Sequence, residues 1–274
     1  MNIALCFCVR DCGKYLPDIF KNIELVKTLD VNVFSVFVYD NCTDNSQTLL
    51  EEYQQKNSKT VIVRNIVNTE KHRTARIAKA RNTCLEIVYN ELKDISYHIM
   101  IDCDNICTPK WNIDIVHKYL TNFDNDNWDC ISFNRDYYYD VWALLYDDFK
   151  HHCWGFGKNI GNKSNNVLSV MMNDIKNKLK NCETNSIEVI SAFNGFGIYK
   201  TEKFKGLYYD GLYCNVKDLL SEEDRQNTIK KFKTYNLDLE LHTNEECCEH
   251  IFYHLNALKK GCKIKVSKFK VILI

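Results

Sequence analysis

A mixed, mainly parallel central sheet flanked by helices is the fold this sequence predicts, and three observations carry that α/β expectation. Short apolar runs alternate with longer stretches of helical period over residues 3–102, the pattern of strands joined by crossover helices. No internal repeat interrupts the alternation. Two prolines and nine glycines in 274 residues leave little room for long flexible linkers, so the chain reads as one large domain over residues 1–274.

Residues 3–9 are a continuous apolar run, the signature of a strand buried on both faces, and Arg10-Asp11-Cys12-Gly13 breaks it. Leu16, Ile19, Phe20, Ile23, Val26 and Leu29 then recur at helical spacing. A second apolar run over 33–39 ends in Asp40-Asn41-Cys42-Thr43-Asp44-Asn45. Ser46 is the expected cap of a helix that turns Leu49, Leu50 and Tyr53 inward. Residues 61–63 give a third strand, 73–92 a long helix and 98–102 a fourth strand, an order that predicts a Rossmann-like core. The second half is less regular. Residues 128–133 read as a strand, and 137–149, rich in aromatics and acids, as a helix. The polar stretch 155–186, with a short helical patch over 167–179, reads as a lid or acceptor loop. Residues 189–199 read as one strand with Asn194-Gly195-Phe196-Gly197 in its middle. An amphipathic helix over 249–260, with Ile251, Phe252, Leu255 and Leu258 inward, precedes a last strand over 263–274.

Composition excludes several partners. Lysine plus arginine equals aspartate plus glutamate at 36 each, so no nucleic acid or anionic membrane is expected. No run is long enough to span a bilayer, and the N-terminal apolar stretch meets Arg10 and Asp11 too soon for a signal peptide. Fourteen cysteines form no C-x-x-C pair, and spacings such as Cys6-Cys8-Cys12 or Cys247-Cys248 match no zinc pattern. Cys6, Cys8, Cys84 and Cys130 sit in apolar runs as small core residues. Together these features predict a reducing, cytoplasmic setting. The lean toward Asn, Lys and Ile fits an AT-rich genome such as that of a large DNA virus.

The chemistry concentrates in His98-Ile99-Met100-Ile101-Asp102-Cys103-Asp104-Asn105. An apolar strand ends here in two carboxylates one residue apart, which face the same way while the chain stays extended. Two hard oxygen ligands at the carboxyl end of a strand suit a divalent cation that shares its shell with phosphates. Asp and Asn are also common turn residues, so alone the stretch equally fits a solvated turn. Asp40 and Asp44 follow the second strand at the same sheet edge; a carboxylate there can accept the N–H of a base, or simply shape a turn. The helical face Ile77, Arg81, Cys84, Leu85, Val88 and Leu92 sets Arg81 in an apolar stripe, where its charge needs an anionic partner. Arg73 and Arg76, near that helix's start, face phosphates or solvent.

These residues carry a resemblance. Ala80-Arg81-Asn82 followed by a strand into Asp102-Cys103-Asp104 resembles the ARN…DxD pattern of family 2-like glycosyltransferases with the GT-A fold. Asp40-Asn41-Cys42-Thr43-Asp44 resembles their D-x-S-x-D segment, with Thr43 replacing one hydroxyl residue and Asn41 an occasional acid. Residues 138–144, Tyr-Tyr-Asp-Val-Trp-Ala-Leu, are similar to the YYDxWAL segment of Cap59-type capsule-associated mannosyltransferases, and Phe193-Asn194-Gly195 resembles their W/F-N-G strand. Glu249-His250 followed by Gly261 stands where the family 2 pattern has E-D…G. The motifs touch nearly the whole chain. One departure is that His250 replaces the aspartate that serves family 2 enzymes as base, while an S-E-C segment in Cap59-type enzymes points instead to Glu246 beside Cys247.

The resemblance implies a metal-dependent glycosyltransferase that moves a sugar from a UDP- or GDP-sugar to a hydroxyl of a glycan, protein or lipid-linked acceptor. It implies a nucleotide-sugar-binding half over residues 1–105 and an acceptor-binding half over 106–274. Val9, Arg10, Asp40, Asp44, Arg73, Arg76, Arg81, Asp102 and Cys103 would hold the donor, and Asp102, Asp104 and His250 a Mn²⁺ or Mg²⁺ ion. Tyr139, Asp140, Trp142, Asn194 and Gly195 would face the acceptor, and Glu249, with His250 and Glu246 as rivals, would be the base. The Cap59-type likeness implies GDP-mannose and retention, the family 2 likeness UDP-sugars and inversion. A sugar-phosphate nucleotidyltransferase would share the sheet and acidic site, but Arg10-Asp11-Cys12-Gly13 is not its glycine-rich phosphate loop. A silent glycan-binding module would keep the aromatics without needing Arg81, Asp102 and Asp104 together.

Overall fold

The computed structural model describes residues 1–121, 126–160, 166–239 and 244–273. Its strands are β1 (Asn2–Val9), β2 (Asn32–Tyr39), β3 (Val61–Asn65), β4 (Ile95–Asp102), β5 (Cys130–Asn134), β6 (Ser186–Val189), β7 (Phe196–Lys200) and β8 (Ile264–Lys270). Its helices are α1 (Leu16–Val26), α2 (Ser46–Lys56), α3 (Arg73–Asn90), α4 (Ile113–Leu120), α5 (Val167–Asn181), α6 (Thr201–Phe204), α7 (Tyr213–Val216), α8 (Glu222–Lys233) and α9 (Glu249–Lys259). The strands form one mixed sheet in the order β3-β2-β1-β4-β7-β5-β8-β6. β1 pairs in parallel with both β2 and β4, β7 runs antiparallel between β4 and β5, and β5 and β8 pair in parallel.

Period-2 alternation along β1 divides the core into two layers. Ile3, Leu5, Phe7 and Val9 face α1, α2 and α4, where Phe7 stacks on Phe37 with centroids 4.7 Å apart. Ala4 and Cys6 face α3, α5 and α9. Pro17 in the first turn of α1, where its missing N–H costs nothing, and Asp18 beside it start that helix. α5 starts from a capping box in which Asn166 and Ser169 bond each other's backbone N–H. α8, which the sequence reading passed over, is capped by Ser221 and carries Glu222, Glu223 and Asp224 in its first turn and Lys230, Lys231 and Lys233 in its last. No helix among the described residues is long and apolar enough to cross a membrane.

Four expectations need correction. Ser46 is the first helical residue of α2 and not its cap; its hydroxyl accepts the Cys12 N–H at 2.8 Å and ties α2 to the loop after β1. Residues 137–149 form no α-helix. A single 3-10 turn (Val141–Ala143) and short bridges stand there, because Tyr139 and Asp140 bond to the Asn194 side chain rather than to a helical neighbour. The expected strand over 189–199 is two strands, β6 and β7, that lie apart in the sheet. Asn194 (φ 56°) and Gly195 (φ 83°) turn the chain sharply between them, left-handed geometry that extended backbone excludes. The helical patch within 155–186 is longer than expected, while residues 161–165 of the expected lid lie outside the described residues.

Candidate active site

The strand order reverses at β1, which has β2 on one side and β4 on the other, so a crevice opens at their carboxyl ends. Register sets Val9 beside Tyr39 and Cys8 beside Asp102. Arg10, Asp40 and Asp102 therefore leave the sheet together. Asp40 is buried, its Oδ2 has no hydrogen-bond partner among the described residues, and the nearest cation, Arg10 Nη1, is 3.9 Å away. A buried acceptor with unmet capacity at a crevice is an opening for a ligand N–H.

Asp102 ends β4, and the chain bends at Asp104, whose Oδ1 accepts the Ile106 N–H at 3.0 Å. Asp102 Oδ1 accepts from Arg81 Nη2 at 3.1 Å, and Oδ2 from the Tyr139 hydroxyl at 2.7 Å. Arg81 Nε donates to Glu249 Oε1 at 2.9 Å, so one guanidinium on α3 joins the end of β4 to the start of α9. It lies over the Phe193 ring at 4.7 Å. Burial works against its charge, but Glu249 and then Asp102 outweigh burial and raise its pKa further. Asp140 is a third carboxyl of this cluster. Burial first, then Asp102 and Glu249, push it up to about 7, against the pull of the Asn194 N–H and Arg81. Asp104 is likewise raised, by burial and then Asp102, while the Ile106 N–H, Arg135 and Arg73 oppose the rise. Burial and Asp102 hold the Tyr139 phenol protonated, as a donor must be.

Hard carboxylate oxygens fit a divalent cation. Among the described residues no third His, Cys, Asp or Glu gathers with Asp102 and Asp104 within 4.8 Å; the one such group of three is Asp11, Cys42 and Asp44. Asp11 and Asp44 are spoken for by the backbone: Asp11 Oδ1 accepts the Thr43 N–H at 2.6 Å, and Asp44 accepts those of Gly13 and Ser46.

Several expected site residues do other work. His250 is apart from the metal pair; its ring stacks on Phe193 at 3.9 Å, Nδ1 meets the Tyr199 hydroxyl at 3.3 Å, and Nε2 lies 3.8 Å from Glu249. Asp44 Oδ2 accepts the Gly13 N–H and Oδ1 the Ser46 N–H, which pins the loop after β2 to the loop after β1. Cys103 is buried in the core layer that holds Cys107 and Trp111, with its thiol against that of Cys12. Glu246 Oε1 accepts the N–H and hydroxyl of Thr74 at 3.1 Å each and so caps α3, whose own N-cap residue makes no such bond. Gly211 passes so close to Thr74 there that a Cβ would lie 2.3 Å from its carbonyl carbon. Arg76 Nη1 is held by the Glu70 and Lys71 carbonyls. Arg73 is exposed within electrostatic reach of Asp104. Asn194 and Gly195 are buried, so they shape the site without facing an acceptor. Trp142 lies against Trp154 at 4.9 Å, both part-exposed. The sequence reading missed Arg135, whose one signal is a lone cation at the end of an apolar strand.

The family model for glycosyl transferase family 2 matches residues 5–179, from β1 through most of α5. The chain belongs to glycosyl transferase family 2. No curated protein matches it. Among solved structures, S. aureus TarS 1-349 in complex with UDP-GlcNAc aligns with 14% identity and a TM-score of 0.49, over 99% of this chain and 57% of that one. The mannosyltransferase PcManGT from Pyrobaculum calidifontis, in complex with GDP-Man and Mn²⁺, aligns with 11% identity and a TM-score of 0.40, over 76% of this chain and 47% of that one. GalNAc-T7 with UDP, GalNAc and Mn²⁺ aligns with 10% identity and a TM-score of 0.46, over 98% and 42%. The chain thus spans 57–59% of the length of the TarS 1-349 structures.

Proposed function

We propose that this family 2 chain transfers a sugar from a UDP- or GDP-sugar to a hydroxyl acceptor, with Mn²⁺ or Mg²⁺ held by Asp102 and Asp104. The observation that carries the reading is the meeting, at one sheet edge, of the Asp40 oxygen that accepts no hydrogen bond among the described residues with the Asp102–Asp104 pair. Residues 1–105 bind the donor: Asp40 accepts a base N–H, Arg10 flanks it, and Arg73 faces the diphosphate. Residues 106–274 supply the acceptor wall, with Trp142 as its aromatic surface. The bound cation would supply Lewis-acid neutralisation of charge on the departing diphosphate. Arg81 fixes Asp102, and Tyr139 holds its other oxygen until a ligand competes for it. All fourteen cysteines are free, which supports a reducing, cytoplasmic setting.

Asp102→Asn and Asp104→Asn are each expected to abolish metal-dependent nucleotide-sugar binding while the fold survives, since neither carboxylate is part of the apolar core. The test is a thermal-shift series of UDP, GDP and their sugars with and without Mn²⁺, because a ligand that binds only the native state raises the midpoint. Undiminished sugar transfer by both variants would sink the metal role.

Glu249 is the proposed base of an inverting transfer, with Asp140 as the rival carboxyl of the same cluster. Glu249→Gln should lose turnover with metal-dependent donor binding intact. Normal turnover in that variant, together with loss in Asp140→Asn, would hand the role to Asp140. General-base removal typically costs about 10²–10⁴-fold, so the two outcomes are well separated.

A further inference from the structure

Arg135 follows β5 and is 4% exposed, yet it makes no ion pair among the described residues. A buried guanidinium normally takes a carboxylate partner, since its charge is costly to strand. Here each arm of the planar fork meets a neutral acceptor on a different segment. Nε donates to the Asn194 carbonyl at 3.0 Å, Nη1 to the Ile106 carbonyl at 2.7 Å and Nη2 to Cys107 Sγ at 3.4 Å.

Those acceptors are the two turns that carry the candidate metal site. Ile106 and Cys107 close the bend after Asp104: the Ile106 N–H bonds Asp104 Oδ1, and the Cys107 N–H bonds the Asp104 carbonyl at 3.1 Å. The Asn194–Gly195 turn receives the Asp102 N–H on the Gly195 carbonyl at 3.0 Å, and Cys107 Sγ donates to the same oxygen at 3.2 Å. The Asn194 side chain accepts the N–H groups of Tyr139 and Asp140 and donates to the Phe133 carbonyl. The guanidinium also lies 5.4 Å from the centre of the Tyr139 ring, whose hydroxyl holds Asp102. Space is tight, for a Cβ on Gly195 would come within 2.7 Å of the Tyr139 hydroxyl and 3.3 Å of Arg135 Nη2.

We infer that Arg135 is a positioning residue whose three-way fork sets the angle between the Asp102 and Asp104 carboxylates, so that the pair can share one divalent cation. The inference rests on the function proposed above. A single ammonium cannot reach three diverging acceptors, so lysine does not replace arginine here. Residues that orient metal ligands from behind typically change metal affinity about 10–100-fold when altered.

The experiment titrates Mn²⁺ into the full chain with saturating UDP or GDP, following intrinsic tryptophan fluorescence well below the melting temperature. Arg135→Lys is expected to weaken the apparent Mn²⁺ affinity by at least about tenfold. Leu50→Ala, a core variant on α2 that makes no hydrogen bond to the Arg135 fork, is expected to keep wild-type Mn²⁺ affinity even where its melting temperature falls as far. If Arg135→Lys does not fold, Cys107→Ala frees one arm of the fork without removing charge and should weaken Mn²⁺ binding by roughly threefold or more, a smaller step on the same scale. Wild-type Mn²⁺ affinity in the folded variant of the pair overturns the inference. An equal loss in Leu50→Ala also overturns it, by reducing Arg135 to general stability. A wild-type chain that binds neither UDP nor GDP with Mn²⁺ overturns the functional reading and this inference with it.

Discussion

Arg81→Met is expected to lower the melting temperature by an amount on the order of 10 °C, because removing one partner of a buried pair typically costs about 3–5 kcal/mol and each kcal/mol is worth about 2–4 °C in a chain of this size. The Arg81 side chain is 5% exposed and that of Glu249 6%, so neither can fall back on water. Asp102, at 27%, recovers part of its hydration. Asp140 adds to the cost, since Arg81 is among the few groups that favour its ionised form. Methionine keeps most of the volume and the contact with Phe193, so the loss measures charge rather than a cavity. Differential scanning calorimetry reads the midpoint directly, and a thermal-shift assay with Mn²⁺ and nucleotide follows the site in the same sample. A midpoint within a degree or two of wild type would mean that Glu249 and Asp102 tolerate each other's company without a cation, and the bridge would lose its structural meaning.

The first half of the molecule was legible because its physics is local. Apolar runs buried on both faces, each followed by a helical period, leave few alternatives to β1, β2, β3 and β4 with α1, α2 and α3 between them. Arg81 could be read from its apolar stripe, because a cation there demands an anion, and Asp102 was the anion in reach. The second half resisted because its determinants are tertiary. Nothing in residues 189–199 announces that Asn194 will accept the N–H groups of Tyr139 and Asp140 and break the strand, although the Asn-Gly pair is a turn signal in its own right. Residues 137–149 have the composition of a helix and lose it to those same bonds. Glu246 was legible as an acid near the site, but its partner, the amino end of α3, is 172 residues away in sequence. His250 stood in the motif position of a functional residue, and only the stacking on Phe193 reveals it as part of a buried aromatic layer.

Acidification is expected to unfold the chain with a midpoint between about pH 5 and 6, well above the range where carboxylates alone would act. The cause is a set of buried neutral histidines. Burial pushes His98, His152 and His254 down to about 3 and His151 to about 4. Burial, then Arg81 and His254, depress His250 as well. In the unfolded chain each returns to about 6.5, so between the two values the unfolded state holds protons that the native state lacks, and stability rises with pH. Their contribution is complete above about pH 6.5 and declines by on the order of 1.4 kcal/mol per residue for each pH unit below it. The four at about 3 to 4 lose on the order of 6 kcal/mol by about pH 5.5, with His250 acting in the same sense, against the 5–15 kcal/mol that typically holds a domain together. Asp140 runs the other way: protonated in the native state up to about 7, it gains stability as the pH falls toward its unfolded value. Asp104, also raised, acts in the same sense. Two carboxyls against five imidazoles leave a net loss. His152 is the place to test this, because neither ring nitrogen has a hydrogen-bond partner among the described residues and the ring stacks on Tyr213 at 4.6 Å. His152→Phe removes the titration without breaking a bond, so far-ultraviolet circular dichroism should show its acid midpoint at lower pH than wild type, with stability at pH 7.5 held or raised. A wild-type midpoint below about pH 4, where carboxylate protonation dominates, would mean that these imidazoles do not govern acid stability.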